Sequence, residues 1–409
     1  MTEEAAEIAI IGAGPAGAHL ASRLALAGRE VFLFDPKGAW EKPCGGGVPT
    51  RAIREFAFIL ESSDYPRKLV RRITMISPVG RRVSLTVDEP FAIYSRKVLN
   101  GLVLDRAIEA GVRFVRAAVS DFSRDGDGWN LITGDGRKRS ARFLVGADGA
   151  ASFARRRLVG IFPKHDLALA FGYNVEMDGN DLREATSNRK RKKNELSMDE
   201  VVVRFPKNFT GYLWAFPRPG VMNFGVASKL GEKTSDELRA LLMSFVADYF
   251  GGRMPDSSRV SFFGAKIPTL DLKSWKGLRT SGEGWALVGD AAGFADPITG
   301  EGIYYAFKSA DLLAEALISA SASSNAYARA AQTYDEMWRA AFGQELEHAS
   351  YRLPQFYHGR FIGHIFTDAM ILLARYHRGV RTILARALTG EQSYVTLKRD
   401  LMRRAFQII

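Results

Sequence analysis

Residues 8–35 read IAIIGAGPAGAHLASRLALAGREVFLFD. The apolar run at 8–11 is followed by a glycine-rich turn and then by apolar residues spaced as on one side of a helix. Gly28 provides the helix with a stop, and a second apolar run follows at 31–34. A strand, a helix and a second strand in this order predict a β-α-β unit, and with it a parallel sheet.

The turn inside this unit is Gly12-Ala13-Gly14-Pro15-Ala16-Gly17, and Asp35 ends the second strand. In such a turn the first glycine makes the sharp bend, the second lets a pyrophosphate approach the backbone, and the third lets the helix pack on the strand. The helix N-terminus attracts the anion, and an acid at this distance accepts hydrogen bonds from an adenosine ribose. We therefore expect a dinucleotide site that includes Gly12, Gly14, Ala16, Gly17 and Asp35.

The rest of the chain alternates between two patterns. A helical stretch at 96–110 and a strand at 143–147 continue the α/β pattern, which returns with a strand at 285–288 and a helix starting near Gly302. Between them, residues 165–267 are rich in strands, with one helix near 235–249. Residues from about 325 onward form a helical pattern. The sequence thus predicts an α/β domain interrupted by a largely antiparallel β layer.

Composition excludes several classes of protein. With 409 residues, 46% hydrophobic and 25% charged, the chain is that of a globular protein of two or three domains. Its single cysteine, Cys44, excludes an intramolecular disulfide, a cysteine-rich zinc site and an iron–sulfur cluster. The six histidines show no metal-ligand spacing, so we expect no metal. The acidic start and the lack of a long apolar segment predict a cytoplasmic protein.

The chain carries a net charge of +12, and the positive charge is clustered. Residues 351–409 contain ten Lys or Arg against three acidic residues, and residues 189–193 read RKRKK. These clusters could contact a membrane surface, a diphosphate or other anionic headgroup, or an acidic carrier protein; solvated helix faces are the alternative interpretation. No nucleic-acid-binding motif accompanies the charge, which argues against nucleic acid as a partner.

Two later segments resemble the DG and GD fingerprints of FAD enzymes with the p-hydroxybenzoate hydroxylase fold. They are FLVGADGAASFAR at 143–155 and WALVGDAAGFADP at 285–297. The resemblance implies FAD as cofactor, with contacts from Asp148, Gly289, Asp290 and Pro297. It also implies that a helix N-terminus after the proline points at the flavin, where its dipole stabilises the anionic reduced form. Arg96 stands where this family often has an FAD-contacting arginine; the alternative is a surface charge.

Three further stretches resemble the geranylgeranyl reductase group: Lys42-Pro43-Cys44-Gly45-Gly46-Gly47, Tyr212-Leu213-Trp214-Ala215-Phe216-Pro217, and Asp296-Pro297-Ile298-Thr299-Gly300-Glu301-Gly302-Ile303. The first matches a segment placed near the isoalloxazine, the second a lipid-site motif, and the third the flavin loop, which adds Gly300, Gly302 and Ile303 to the expected FAD contacts. A proline that often stands three positions before the tyrosine is replaced here by Phe209, a departure that concerns the substrate pocket.

On this resemblance we predict a Rossmann-type FAD-binding domain made of residues 1–70, 95–163 and 270–324. It is interrupted by a mostly antiparallel β-sheet domain for the substrate, residues 71–94 and 164–269. A helical C-terminal region, residues 325–409, follows. The fold class is therefore α/β with an added β-sheet domain.

The implied activity is hydride transfer from reduced flavin to a carbon–carbon double bond of a prenyl or other bulky apolar substrate. Cys44 is the candidate proton donor, or a group that shapes the flavin face; a small packing residue is the alternative. In a strand Tyr212, Trp214 and Phe216 share one face, where they could line a hydrocarbon site or belong to the core. The electron donor would be NAD(P)H or a reduced redox protein.

Flavin-dependent halogenases form a sister group and the main alternative. They share a Trp-x-Trp-x-Ile-Pro stretch, a Ser-Ser-Gly flavin loop and a catalytic lysine near the position of Lys42. This chain has Tyr212 for the first tryptophan and Gly300-Glu301 for the serines, which favours the reductase. A monooxygenase acting on an aromatic or carrier-tethered substrate is a further alternative, and so is a flavin-binding protein without catalytic activity.

Overall fold

The protein is described from a computed structural model, which describes residues 4–177, 198–320, 326–361 and 363–405. The α-helices are α1 Pro15–Leu26, α2 Thr50–Glu55, α3 Phe58–Glu61, α4 Arg96–Glu109, α5 Phe153–Leu158, α6 Ser235–Tyr249, α7 Leu272–Lys276, α8 Ile303–Ser319, α9 Ala326–Trp338, α10 Gln344–His358, α11 Phe366–Tyr376, α12 Arg378–Leu388 and α13 Leu397–Ala405. A π-helical turn, Arg339–Gly343, separates α9 from α10.

The strands are β1 Glu4–Ile11, β2 Val31–Phe34, β3 Gly47–Val48, β4 Arg67–Ile76, β5 Arg82–Tyr94, β6 Arg113–Val115, β7 Val119–Asp125, β8 Gly128–Thr133, β9 Lys138–Gly146, β10 Leu167–Glu176, β11 Glu200–Arg204, β12 Gly211–Arg218, β13 Val221–Lys229, β14 Val260–Pro268, β15 Ser281–Gly282, β16 Trp285–Leu287, β17 Arg360–Phe361 and β18 His364–Ile365. They and the helices form two compact units. The first contains Met1–Lys42, Arg96–Asp166 and Pro268–Glu347, and the second contains Pro43–Ser95, Leu167–Ile267 and His348–Ile409.

The first unit is built on an eight-stranded sheet whose main path has the order β15-β16-β9-β1-β2-β6, with β7 and β8 joined to β9 off this path. The pairs β15–β16, β7–β8 and β8–β9 are antiparallel. β1 pairs in parallel with both β2 and β9, and β9 pairs in parallel with β16. Residues 8–11 and 31–34 are all buried, as expected of strands covered on both faces. α1 packs against α4 and α8. The predicted β-α-β unit and the parallel sheet are confirmed.

The second unit is built on an eight-stranded sheet with the order β14-β10-β13-β12-β11-β4-β5-β3. The pairs β10–β13, β13–β12, β12–β11, β4–β5 and β5–β3 are antiparallel, whereas β11 runs parallel to β4. Leu213 and Ala215 of β12 and Phe224 of β13 pack with Leu242 and Phe245 of α6 in one apolar cluster. A capping box between Thr234 and Glu237 starts α6. The predicted fold class, with a mostly antiparallel β layer, is confirmed.

The two units differ from the predicted domain limits in two places. Residues 43–70 lie in the second unit because β3 pairs with β5 and β4 begins at Arg67. The helical C-terminal segment is divided, since α9 packs on α8 while α11 and α12 pack on β5. These contacts join residues far apart in sequence, which local patterns do not reveal. The functions predicted for the two domains stay predictions.

Among the described residues, no helix combines the length and the apolar character that crossing a membrane requires.

Candidate functional site

The glycine-rich turn of the first unit lies between β1 and α1. Gly12 has a φ of +105°, and a Cβ there would lie 2.5 Å from the Ala147 carbonyl oxygen. A Cβ on Gly17 would lie 1.9 Å from the carbonyl oxygen of Gly12. Packing of the chain on itself therefore requires glycine at both positions.

Gly14 differs from these two glycines. Its φ of −71° is accessible to any residue, and a Cβ there would meet no atom within 4 Å. Pro15 begins α1 directly after it, a position where the missing N–H costs nothing. The chain itself does not need glycine at position 14, so the open space beside a helix N-terminus forms a cradle into which an anionic group fits.

Asp35 ties the end of β2 to this turn. One carboxylate oxygen accepts from the Ala13 amide at 3.0 Å, and the other accepts from the Lys37 and Gly38 amides at 2.8 and 2.9 Å. Each oxygen has more than one lone-pair direction, so these bonds leave capacity for a ribose hydroxyl. The three bonds also fix the orientation of the carboxylate.

The DG and GD motifs adjoin the glycine-rich turn. Asp148 follows the Ala147 carbonyl that Gly12 touches, and a Cβ on Gly289 would lie 3.1 Å from the Ala16 Cβ. A Cβ on Gly302 would lie 3.0 Å from an Asp290 carboxylate oxygen. The structure thus brings three motifs, more than 280 residues apart at their ends, to one place in the first unit.

Asp148 itself is engaged by the chain. Its carboxylate accepts from the Ser152 hydroxyl and from the backbone amides of Phe153 and Ala154, at 2.7 and 3.1 Å for the amides. These groups belong to the start of α5, so Asp148 caps that helix. The predicted FAD contact of Asp148 stays a prediction.

The flavin loop is closed by backbone hydrogen bonds. The Gly300 amide donates to the Asp296 carbonyl, and the Asp296 amide donates to the Glu301 carbonyl, both at 2.8 Å. Pro297 lies within this turn, and Gly300 takes a φ of +68°. Ile303 is the first residue of α8, whose Tyr304 amide donates to the Glu301 carboxylate at 2.8 Å. The loop therefore delivers the N-terminus of α8 close to Asp290, through Gly302.

Two basic side chains of the first unit, Lys42 and Arg96, are largely buried. The Lys42 ammonium lies 3.0 Å from the Asp290 carboxylate. Arg96 is only 5% exposed; one terminal nitrogen donates to Asn100 at 3.3 Å, and its Nε has no hydrogen-bond partner among the described residues. Burial excludes the surface-charge interpretation of Arg96. A buried guanidinium with an unused N–H fits an anionic cofactor, because such a group is costly to leave unpaired.

Arg155 is a residue of this region whose role the sequence did not suggest. Its guanidinium donates to the Ala291 carbonyl at 3.4 Å and lies 3.8 Å over the ring of Phe162. Burial lowers the pKa of Arg155 to about 10, which leaves the side chain charged at neutral pH. It contributes a positive charge next to the GD loop.

The second unit carries Cys44 and the aromatic residues of β12. Tyr212, Trp214 and Phe216 share one face, with neighbouring ring centroids 5.9 and 6.3 Å apart. A Cβ on Gly45 would lie 2.8 Å from the Phe216 ring, so the loop after Cys44 packs on this aromatic face. The half-buried Cys44 accepts from the Gly46 amide through its sulfur at 3.3 Å. The predicted alternation along β12 is confirmed.

The three rings differ in burial. Trp214 is 4% exposed and belongs to a buried cluster, whereas Tyr212 and Phe216 are half-buried at its edge. Phe209, the departure from the family pattern, lies in the core on the α6 side of the sheet. Trp214 therefore has the burial of a core residue, and Tyr212 and Phe216 are the more accessible members of the aromatic face.

A polar network that the sequence did not suggest lies beside this face. The Trp214 indole donates to Asn223 at 2.7 Å, and Asn223 donates to Asn174 at 2.7 Å. Arg218, which is 4% exposed, donates to the Cys44 carbonyl at 2.6 Å and to Asn174 at 3.5 Å. No motif marks these residues, since isolated Asn and Arg in strands carry no distinctive pattern.

One cluster has a composition that could bind a metal. His165, Asp166 and Asp271 offer ligand atoms within 4.8 Å of one another. Asp166 accepts from the Asp271 amide and Asp271 accepts from the Ser274 amide, at 2.9 and 2.8 Å. The carboxylates thus have structural roles at the start of α7, and we assign no metal to them.

The basic residues of the C-terminal segment form exposed helix faces in the second unit. On α13, Lys398, Arg399, Met402 and Arg403 are exposed at positions i, i+1, i+4 and i+5, which is one side of a helix. At the junction of α11 and α12, Arg375 and Arg378 are exposed beside Tyr376, which is 80% exposed. The RKRKK run at 189–193 lies outside the described residues.

Comparison with known proteins identifies relatives of this chain. Residues 5–193 match the model of an FAD binding domain. A geranylgeranyl diphosphate reductase from Rhodobacter capsulatus is 30% identical over 317 residues, which are 75% of this chain and 73% of that protein. A digeranylgeranylglycerophospholipid reductase from Methanocaldococcus jannaschii is 24% identical, with 85% of each chain covered.

Solved structures share the fold. A geranylgeranyl bacteriochlorophyll reductase-like protein from Thermoplasma acidophilum superposes with a TM-score of 0.73 at 20% identity, covering 94% of this chain and 99% of that one. A flavin-dependent brominase superposes with a TM-score of 0.70 at 16% identity, covering 98% and 100%. The domain match agrees with the cradle at Gly14 and the buried Arg96, and FAD is the cofactor of this chain.

Proposed function

Because the chain belongs to the geranylgeranyl reductase family of FAD-dependent oxidoreductases, we propose that it reduces carbon–carbon double bonds of a prenyl or other bulky apolar substrate. The observation that supports this most directly is the packing of the Cys44 loop on the aromatic face of β12. Gly45 lies close enough to Phe216 that a Cβ would be 2.8 Å from its ring. A thiol beside an apolar wall suits proton delivery to a hydrocarbon.

The cofactor-binding role falls to residues of the first unit. Reduced FAD, when bound, supplies a hydride to one carbon of the double bond. Gly14 leaves room for the pyrophosphate, Arg96 offers it a buried positive charge, and Asp35 accepts from the ribose. We assign further contacts to Gly12, Ala16, Gly17, Asp148, Gly289, Asp290, Pro297, Gly300, Gly302 and Ile303.

The substrate-side role falls to residues of the second unit. Cys44 donates its proton to the second carbon of the double bond, and the resulting thiolate regains a proton from water. The half-buried rings of Tyr212 and Phe216 contact the hydrocarbon, and Trp214 supports them from the core. Burying a methylene stabilises the complex by about 0.8 kcal/mol, so affinity should rise with chain length.

The experiment that tests this function is anaerobic. Enzyme carrying reduced FAD is mixed with geranylgeranyl diphosphate in the absence of oxygen, and the absorbance of oxidised flavin is followed while the product is weighed by mass spectrometry. We expect flavin oxidation without oxygen and a product heavier by two hydrogen atoms. Oxidation that requires oxygen, with a halogenated or hydroxylated product, would instead establish the halogenase or monooxygenase alternative.

The electron donor is either NAD(P)H or a reduced redox protein. The sequence holds one complete dinucleotide fingerprint, so NAD(P)H would have to bind transiently. Anaerobic mixing of the oxidised enzyme with NADPH, NADH or reduced ferredoxin distinguishes these donors by which one bleaches the flavin. The rate with each donor is the measurement.

The basic C-terminal helix faces would bind an anionic membrane surface or the anionic headgroup of the substrate. Among the described residues, Lys398 and Arg403 have no carboxylate within ion-pair distance. Met402, which is 50% exposed, lies between them on the same face. Unpaired cations interleaved with an exposed apolar side chain are the features of a helix that binds a lipid surface.

A further inference from the structure

Arg218 ends β12, the strand that carries the aromatic face, and its side chain is buried. Its Nη2 donates to the carbonyl oxygen of Cys44 at 2.6 Å. A Cβ on Gly46 would lie 3.3 Å from the same Nη2 and only 1.9 Å from the Tyr94 carbonyl oxygen. Gly46, with a φ of +81°, lets the loop pass close to both groups. Arg218 therefore holds the loop at the residue that bears the thiol.

The orientation of the two asparagines follows from the chemistry of the indole. The Trp214 Nε1 is a donor only, so Asn223 must present its oxygen to it. The amide nitrogen of Asn223 then faces the Asn174 oxygen, 2.7 Å away. That oxygen also accepts from the Nη1 of Arg218, at the 3.5 Å limit of hydrogen bonding. The network thus runs from the indole of Trp214 to the carbonyl of Cys44.

Burying this polar network costs more free energy than filling the same space with apolar side chains would. Asn223 is fully buried and Arg218 nearly so, and apolar side chains of similar volume would avoid the cost of removing amides and a guanidinium from water. Hydrogen bonds are directional, however, so each bond of the network holds its partner at one distance and angle. The groups held here are the Cys44 loop and the ring at the centre of the aromatic face.

We propose that Arg218 is a positioning residue that fixes the Cys44 loop against the aromatic face, with Asn174 and Asn223 linking it to Trp214. The catalytic part of this inference rests on the proposed function, in which Cys44 delivers the proton. The positional part, in which Arg218 fixes the Cys44 loop, does not depend on that function. Arg218 acts through the Cys44 carbonyl and has no chemical step of its own.

The test uses the fact that Cys44 is the only cysteine of the chain. The labelling rate of the FAD-loaded protein with a maleimide therefore reports on this loop alone. Measured against pH, the plateau rate reports access to the thiol, and the midpoint reports its ionisation. Arg218→Met removes the donors but keeps an unbranched apolar chain comparable to the aliphatic part of arginine, and Arg218→Lys keeps one donor for the carbonyl. Arg204→Met, on β11, is the matched control.

Loss of a hydrogen bond from a charged group costs about 1.5–3 kcal/mol, so we expect the plateau rate of Arg218→Met to rise about tenfold or more. Arg218→Lys should restore most of the protection, and Arg204→Met should label like the wild type. In turnover, Arg218→Met should lower kcat while KM changes little, because the proton donor and not the substrate site is displaced. An unchanged plateau rate in folded, FAD-loaded Arg218→Met would overturn the proposal.

Should Arg218→Met fail to fold, Asn174→Ala provides the second variant. It removes the shared acceptor and leaves the bond to Cys44 in place, so a smaller rise in plateau rate, about threefold, is expected for a weakened network; a rate equal to the wild type would overturn the proposal. The two hypotheses fail separately. If labelling shifts as expected but the wild type reduces no double bond, the positioning role stands and the proposed function is wrong.

Discussion

The Lys42 ammonium lies 3.0 Å from the Asp290 carboxylate, and both side chains are roughly three-quarters buried. Lys42 is therefore held in an ion pair with the aspartate of the GD motif. We expect Lys42→Met to weaken FAD binding by fivefold or less, since a partly exposed pair contributes about 1 kcal/mol or less. Anaerobic flavin oxidation by substrate should persist. FAD titration and stopped-flow absorbance measure the two effects.

The matched control for this change is Lys276→Met, at an exposed position of α7. Complete loss of product in Lys42→Met, with FAD content and folding intact, would contradict the reductase assignment and favour the halogenase mechanism, in which a lysine is essential.

Substitution of Gly14 should affect mainly FAD binding, whereas substitution of Gly17 should affect mainly the stability of the fold. A side chain at Gly14 meets no atom of the chain, so Gly14→Val should leave the melting temperature of the FAD-free protein within a few degrees of the wild type. It should still lower FAD affinity at least a hundredfold, because the side chain occupies the cradle. Gly17→Ala should destabilise the FAD-free protein, since its Cβ would lie 1.9 Å from a carbonyl oxygen. Differential scanning calorimetry and FAD titration provide the readouts, and normal FAD affinity in Gly14→Val would refute the cradle.

Two rings of the aromatic face should respond differently to substitution, Trp214 as a core residue and Phe216 as an accessible one. Trp214→Ala should cost about 3–5 kcal/mol of unfolding free energy whatever the ligand, as expected for a large buried side chain. Phe216→Ala, at a half-buried ring, should cost less and should raise KM for long prenyl diphosphates more than for short ones. Urea unfolding and a series of substrates of different length measure these effects. An unchanged length preference in Phe216→Ala would return this ring to a purely structural role.

Asp311 of α8 links the two helices whose N-termini carry cofactor motifs. It contacts His19 at 2.9 Å and Arg23 at 2.8 Å, both on α1. Burial opposes its ionisation, but the hydrogen bond from His19 and the charges of His19 and Arg23 outweigh it and lower the pKa of Asp311. A carboxyl whose pKa is lower when folded stabilises the protein above its unfolded pKa of about 3.9, and that stabilisation is lost as the pH falls through the folded value.

Asp311→Asn should therefore lower the stability by about 1 kcal/mol at pH 7. The difference from the wild type should shrink as the pH falls below about 4, where the wild-type carboxyl becomes protonated. Urea unfolding at several pH values measures this. A difference that is constant with pH would show that the charge of Asp311 is not what holds α1 to α8.

The α13 face should govern binding to anionic vesicles. Each cation near an anionic membrane contributes about 1 kcal/mol, so Lys398→Gln with Arg403→Gln should weaken binding about thirtyfold at low salt. The difference should narrow as salt screens the wild type. Sedimentation with phosphatidylserine-containing vesicles is the assay, and Lys207→Gln, exposed elsewhere in the second unit, is the control. If the double variant and the wild type bound the vesicles equally at every salt concentration, the α13 face would be only a solvated surface.

The elements predicted correctly from the sequence are those determined by residues close together in the chain. The β-α-β unit follows from the spacing of apolar residues and glycines around Gly12 and Gly17, and the alternation along β12 follows from the geometry of a strand. The placement of residues 43–70 in the second unit depends on pairing between β3 and β5, which leaves no local trace. The same holds for Arg218 and Asn223, whose partners are set by tertiary contacts, and for Asp148, whose carboxylate caps α5.

The parallel pairing of β11 with β4 has a consequence for biosynthesis. Glu200 lies opposite Arg72, so about half of the chain must leave the ribosome before the second sheet can close across these strands. The first unit closes later still, because α8 packs on α1 and begins at Ile303. Contacts between such distant segments slow folding and expose unpaired strand edges in the meantime. During synthesis, β4 therefore lacks its partner β11 until Glu200–Arg204 has been made, and α1 lacks its partner α8 until Ile303–Ser319 has been made.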